Sequence, residues 1–266
     1  MEIRKFTLRE QLFSVEPYLQ AAALARLDSE WSLEQISSPF TRLYYILSGE
    51  AWVEWGGKRI SLEAGRVYLI PAGLTFSAGC RSAAEKLFFH ISLLKRDGYD
   101  LAMELHTVAS LPFEQARAER LCRLAEQENH FNALMLKTML MEDLLRFFEV
   151  NGIGLRREDV CSEAVRQTMD YIRKHLSVQL SVRALAERAY LSERTLNYAF
   201  RRELGKTVGQ YIDEMVLFEA QRRLLLTDRP IAEISEQLGF CDQFYFSRRF
   251  KERCGKSPSA YRGQRG

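Results

Sequence analysis

The feature that most constrains this chain is a repeat. Residues 181–205 read SVRALAERAYLSERTLNYAFRRELG, and residues 230–255 read PIAEISEQLGFCDQFYFSRRFKERCG. Val182 aligns with Ile231, Leu185 with Ile234, Phe200 with Phe250 and Gly205 with Gly255, and the second copy has one extra residue in its turn. Ile231, Ile234 and Leu238 fall three and four apart, which is helical spacing. Pro230 suits a first helical position, and Gly239 ends the helix cheaply in a left-handed cap. Ser192 and Asp242 then offer side-chain oxygens to start a second helix in each copy. In the downstream second helix Tyr245, Phe246 and Phe250 point inward, and Gln243, Ser247, Arg248 and Lys251 point out. Two short helices joined by a tight turn make a helix-turn-helix, the form that lays one helix in a major groove with side chains at base edges. A lone hairpin of this kind is also a common element of helical bundles; the repetition is what sets this one apart. Between the copies, residues 208–227 read as one helix spanning roughly 30 Å. A turn of B-DNA is about 34 Å, so such a rod can set two recognition helices on one face of the duplex.

The pattern GFxDxxYFSRRFKxxxGKSPSAYR, preceded by a second helix-turn-helix and a long connecting helix, resembles the AraC/XylS family of bacterial transcription regulators. The resemblance covers about the last hundred residues of the sequence. It implies double-stranded promoter DNA and RNA polymerase as partners, with activation the commoner role. It also implies contacts to DNA from Arg194, Asn197, Tyr198 and Arg201 in the first copy and from Gln243, Ser247, Arg248 and Lys251 in the second.

At 266 residues the chain has room for two domains. Residues 163–266 hold 19 Lys+Arg and 13 Asp+Glu, a net +6, while residues 1–162 hold 19 and 22, a net −3. The basic half is the half with the repeat, as phosphate contact requires. No apolar run approaches the roughly 20 residues of a membrane span. The five cysteines are scattered, odd in number and form no CxxC, which argues for a reduced cytoplasmic protein without disulfides or structural zinc.

Residues 1–38 are the least legible. Residues 18–27 have helical propensity and can equally be a strand, and an arm across the following barrel is the expectation. Residues 41–94 are β: a strand at 42–47, a turn at Gly49-Glu50, a return over 51–55, a hairpin at Gly56-Gly57, strands over 59–62 and 67–70, and a last strand over 86–94. Short strands divided by Gly and Pro suggest a barrel or jelly roll. SGE followed by LEAGRVYLIPAG is similar to the cupin barrel of sugar-responsive members of the AraC family, which implies a small effector, a sugar among the candidates. Metal-binding cupins carry a His-rich first motif and a second-motif His. Here the first motif has none, Phe76 stands at the second, and His90 alone is left in the barrel. One imidazole cannot hold a metal that needs three or four ligands, so no cofactor or metal is expected and the chain is not read as an enzyme. Candidate effector contacts are Arg42, Tyr44, Trp52, Phe76 and His90, weighed against a surface role for Arg42 and core roles for Trp52, Phe76 and His90.

Residues 113–127 and 132–150 read as helices. The second is apolar over most of its circumference and must be covered on two sides, by its own barrel and by a partner subunit or within the monomer. The sequence therefore predicts an α+β chain of two domains. Residues 1–150 form a cupin-like effector-binding and dimerisation domain, 151–162 a linker, and 163–266 an all-α double helix-turn-helix domain. The function expected is an effector-responsive, DNA-binding transcription regulator. A ligand-independent regulator whose barrel only dimerises or binds a protein, and a DNA-tethered cupin enzyme, are the alternatives.

Overall fold

The computed structural model describes residues 16–94, 98–127, 129–153 and 161–263. The readings of an arm before residue 16 and of a linker across residues 154–160 lie outside them. Among the described residues seven antiparallel strands run β1 (Glu16–Asp28), β2 (Ser32–Ile36), β3 (Thr41–Trp55), β4 (Lys58–Glu63), β5 (Arg66–Ile70), β6 (Phe76–Leu94) and β7 (Ala109–Pro112). Their order is β1-β6-β3-β5-β7, with β2 on β6 and β4 on β3, and the end strands do not pair with each other, so the sheet rolls without closing. Residues 18–27 thus take the strand alternative.

Two strands are longer than the sequence suggests. The expected turn at Gly49-Glu50 is a bend inside β3, where the pairing to β6 shifts register. Gly49 sits at φ +71°, and a Cβ there would meet the Ala83 carbonyl oxygen at 2.1 Å, so only glycine lets the paired strands bend this tightly. The last strand begins at Phe76 rather than Lys86, because residues 77–80 stay paired to the far half of β3.

Alternation gives the sheet two apolar faces. Leu43, Tyr45, Leu69, Phe89 and Ile91 lie under α1 (Gln115–Glu126) and α2 (His130–Val150). One polar knot ties that layer down. The Tyr45 hydroxyl donates to Asp143 at 2.5 Å, and Arg117 pairs with the same carboxylate at 2.9 Å. Burial, with the adjacent Asp143 carboxylate, pushes the Tyr45 phenol well up. The opposite face, with Tyr44, Ile46, Val53, Leu62, Ile70 and Phe76, closes on itself as the interior of the roll.

The second half is α3 (Glu163–Lys174), α4 (Val182–Arg188), α5 (Glu193–Leu204), α6 (Val208–Leu226), α7 (Ile231–Gln237), α8 (Gln243–Cys254) and α9 (Pro258–Arg262). Ser192 and Asp242 cap α5 and α8 by accepting from Thr195 N and Tyr245 N. That backbone N–H, the largest cause, holds the Asp242 carboxyl below its usual range. Gly239 takes φ +80° after α7. Pro230 is the residue flanking α7 and Ile231 its first, one position later than the sequence suggests. Leu196, Phe200, Tyr211, Val216, Ile234, Phe246 and Phe250 share one core in this half.

Candidate functional site

The two helix-turn-helix units present matching outer rows. Arg194, Tyr198 and Arg201 are exposed on α5, and Gln243, Arg248 and Lys251 on α8, with Ser247 half-buried. Among the described residues, Arg194, Arg201, Arg248 and Lys251 have no carboxylate within ion-pair distance. Several other arginines of this half are neutralised, Arg183 by Glu187, Arg222 and Arg223 by Glu219, Arg229 by Glu233 and Arg249 by Asp213, while Arg188 lies over the Tyr171 ring and Arg262 donates to the Arg229 carbonyl. Four uncompensated cations in two equivalent rows leave charge for an external anion, and B-DNA supplies phosphates at that scale.

Asn197 stands apart. Its Nδ2 donates to the Glu193 carbonyl at 3.0 Å, and its Oδ1 accepts from Val208 N at 3.1 Å, the first residue of α6. The amide therefore joins α5 to the connecting helix. Two exposed aromatics went unread in the sequence. Phe244 aligns with Arg194 and is 87% exposed, and Tyr190, in the first turn at φ +55°, is 96% exposed. The repeat alignment held the signal for Phe244, since it places that residue on the outer row.

Of the barrel candidates, four gather and one does not. Arg42, Tyr44, Phe76 and His90 all face the interior of the roll and are buried. Arg42 donates to Ser38 Oγ, and its guanidinium lies 4.9 Å from the Phe40 ring and 5.5 Å from that of Phe76. His90 stacks on Phe40 with ring centroids 4.5 Å apart. Trp52 lies on the outer face, its ring against Gly79 and under the Arg59 guanidinium at 3.6 Å. The register shifts in β3 at 46–48 and 49–51 are the cause, since they move Ala51 and Val53 into the interior row. The interior also holds Lys86, which sequence reasoning missed. Alternation from His90 through Phe88 leads straight to it, paired across from Ile46. Burial, and then Arg42, lower the Lys86 ammonium to about 7. Burial, with Arg42 and Lys86, also depresses His90 well below its usual value. Among the described residues no group of three metal-ligating side chains comes together.

Among the described residues the two halves meet at several places; at one, Lys206 Nζ donates to the Tyr99 hydroxyl at 2.7 Å. Tyr261 of α9 donates to the Ser37 carbonyl at 2.8 Å, and Lys256 Nζ to the Gln35 carbonyl at 3.0 Å. Phe40 is buried in the core of the helical half while it stacks on His90. A cleft of about 560 Å³ lies between β1 and β6 on one side and α3 and α6 on the other, bordered by Gln20, Ser92, Arg166, Met215 and Arg222.

Residues 185–264 match the model of a helix-turn-helix domain. The regulatory protein SoxS of Salmonella typhimurium is 31% identical over 100 residues, which are 38% of this chain and 94% of SoxS. The chain belongs to the AraC/XylS family. The arabinose operon regulatory protein of Escherichia coli is 32% identical over 136 residues, 51% of this chain and 46% of that protein, so the match spans about half of this relative's length. The fold of the whole chain is similar to that of ToxT from Vibrio cholerae, solved with an unsaturated fatty acid bound, at a TM-score of 0.55, 12% identity and coverage of 92% of this chain and 95% of that one. Among the described residues no helix is long and apolar enough to cross a membrane.

Proposed function

We propose that this AraC/XylS-family chain is a sequence-specific, DNA-binding transcription regulator that answers to a small molecule held by its N-terminal half. The observation that carries the reading is the pair of unneutralised cationic rows on α5 and α8, with α5 tied to the first residue of α6 through Asn197 and α8 tied to Asp213 of the same helix through Arg249. Arg194, Tyr198 and Arg201 enter one major-groove segment, and Gln243, Ser247, Arg248 and Lys251 the next. Gln243 suits an adenine edge, while Arg194 and Arg248 suit guanine or phosphate. Asn197 acts chiefly by holding α5 to α6. Activation fits the names of relatives such as the transcriptional activator Btr of Bacillus subtilis, 24% identical over 245 residues. RNA polymerase is then a partner, and the cytoplasm the working compartment. A bound fatty acid in ToxT supports a small-molecule effector for a fold of this kind.

The active form is a homodimer through α2. Phe131, Leu134, Met135 and Leu145 are exposed on one face of that helix, and a self-complementary apolar patch suits a two-fold contact between copies. The test is recovery of genomic fragments with purified protein, followed by DNase footprinting. Protection of two adjacent groove segments, lost at one segment in Arg194→Ala and at the other in Arg248→Ala, supports the reading. Each substitution should cost about 1–3 kcal/mol at the operator and little on random DNA. Equal losses on both DNAs sink the assignment.

A further inference from the structure

Arg42, Lys86 and His90 are 2%, 2% and 7% exposed, and they line one interior face of the roll. Burying a cation costs several kcal/mol unless a counter-charge comes with it, and buried Lys and Arg are almost always paired. Among the described residues no carboxylate lies within ion-pair distance of Arg42 or Lys86, and Arg42 Nε and His90 Nε2 have no hydrogen-bond partner. The Lys86 ammonium is held only by ring faces, 4.1 Å from Trp31, 4.0 Å from Tyr44 and 5.4 Å from Phe88. Cation–π contact offsets part of the desolvation and supplies no negative charge. Trp31 and Phe88 are half-buried, so the cluster lies one side chain beneath the surface.

We propose that this cluster is an anion site: it takes a small organic acid, the carboxylate between Arg42, Lys86 and His90 and the apolar body against Trp31, Phe76 and Phe88. This rests on reading the roll as the sensor, and it names the chemical class of what is sensed. A carboxylate provides the missing counter-charge and accepts from Arg42 Nε, while the five aromatic side chains around the cations suit an apolar body better than a sugar. The site also explains why Phe40 and Ser38 matter. Both touch Arg42, and both belong to the segment that Tyr261 and Lys256 grip through the Ser37 and Gln35 carbonyls. An anion that draws Arg42 inward loosens that segment.

The test is thermal unfolding of the full chain with benzoate, phenylacetate and octanoate, each set against its neutral partner benzyl alcohol, phenylethanol or octanol, and with arabinose. At about a hundred times Kd, a bound acid should raise Tm by roughly 5–10 °C. Lys86→Met and Arg42→Met should abolish the shift; Lys86→Met removes a buried charge and so should fold at least as well as the parent. Calorimetric titration on the same samples checks the stoichiometry. No shift with any acid, an equal shift with the alcohols or arabinose, or a shift that survives in Lys86→Met overturns the proposal. Footprinting of the unliganded protein separates the two readings: protected DNA without an acid response removes the anion site alone, whereas an acid response without protected DNA removes the regulator reading.

Discussion

Lys86 carries its own pH signature. Its folded-state value of about 7 lies below the ordinary 10.5, so between these values the unfolded chain binds a proton that the folded chain does not. Stability must therefore rise with pH from about 7 to about 10.5, and below 7 the full cost of the buried charge is present. The Arg42 guanidinium faces the same ammonium and reinforces the effect. Denaturant unfolding of the parent and of Lys86→Met at pH 7 and pH 9.5 checks this. The variant should be the more stable at pH 7, and the gap should shrink at pH 9.5. A gap independent of pH would show that Lys86 is neutral, or is paired, throughout. Asn197 shows the limit of reading outward positions from a helical wheel. Its place on the outer row of α5 was legible, but its partner, Val208 N, lies eleven residues on and on another helix. Asn197→Ala should therefore lower stability by about 1 kcal/mol even without DNA, seen as a fall in Tm of roughly 2–4 °C, where Arg194→Ala should not.

Elements with strong local signals were legible. The caps at Ser192 and Asp242, the stop at Gly239 and the long helix before residue 227 follow from residues within one turn of each boundary. The β half was less so, because β3 and β6 are held by each other rather than by local preference. Nothing within residues 77–85 says that they pair with the far half of β3, and Gly49 reads equally as turn or bend. The fate of α2 depends on both of its sides. Its inner side is fixed by Asp143, whose removal leaves the buried Tyr45 hydroxyl and Arg117 without their shared partner, so Asp143→Ala should cost about 3 kcal/mol by chemical denaturation. Its outer side should respond in the opposite sense. Leu134→Glu with Leu145→Glu places charge on residues 62% and 48% exposed, so the fold should survive while the dimer is lost. Light scattering should show a monomer with unchanged circular dichroism. A monomeric parent, or a dimer in the double variant, would remove α2 as the contact.

The whole molecule turns on Phe40. It leaves the roll at the head of β3, is buried in the core of the helical half, and stacks on His90 on its way out. No sequence rule could assign it, since an aromatic before a strand fits either half. The other buried residues of the helical core all lie beyond 160, with Tyr99 packed against its edge, so the fragment 163–266 should fold alone and bind DNA with a steep salt dependence. The same geometry says what the fragment lacks. A ring that fills a slot in one core while resting on the buried His90 of the other makes each half sense the packing of its neighbour. Tyr261 and Lys256 add hydrogen bonds to the carbonyls of Ser37, Gln35 and Glu34, and Lys206 one to Tyr99, each worth about 1 kcal/mol, whereas truncating a buried phenylalanine costs about 3–5 kcal/mol. Phe40→Ala should therefore split one calorimetric transition into two, the later close to that of the fragment. Tyr261→Phe should keep a single transition at slightly lower Tm. DNA affinity of Phe40→Ala should match the fragment's and no longer change when an effector is added. A single transition in Phe40→Ala, with the effector response intact, would mean that the halves communicate through the chain connecting them rather than through this ring.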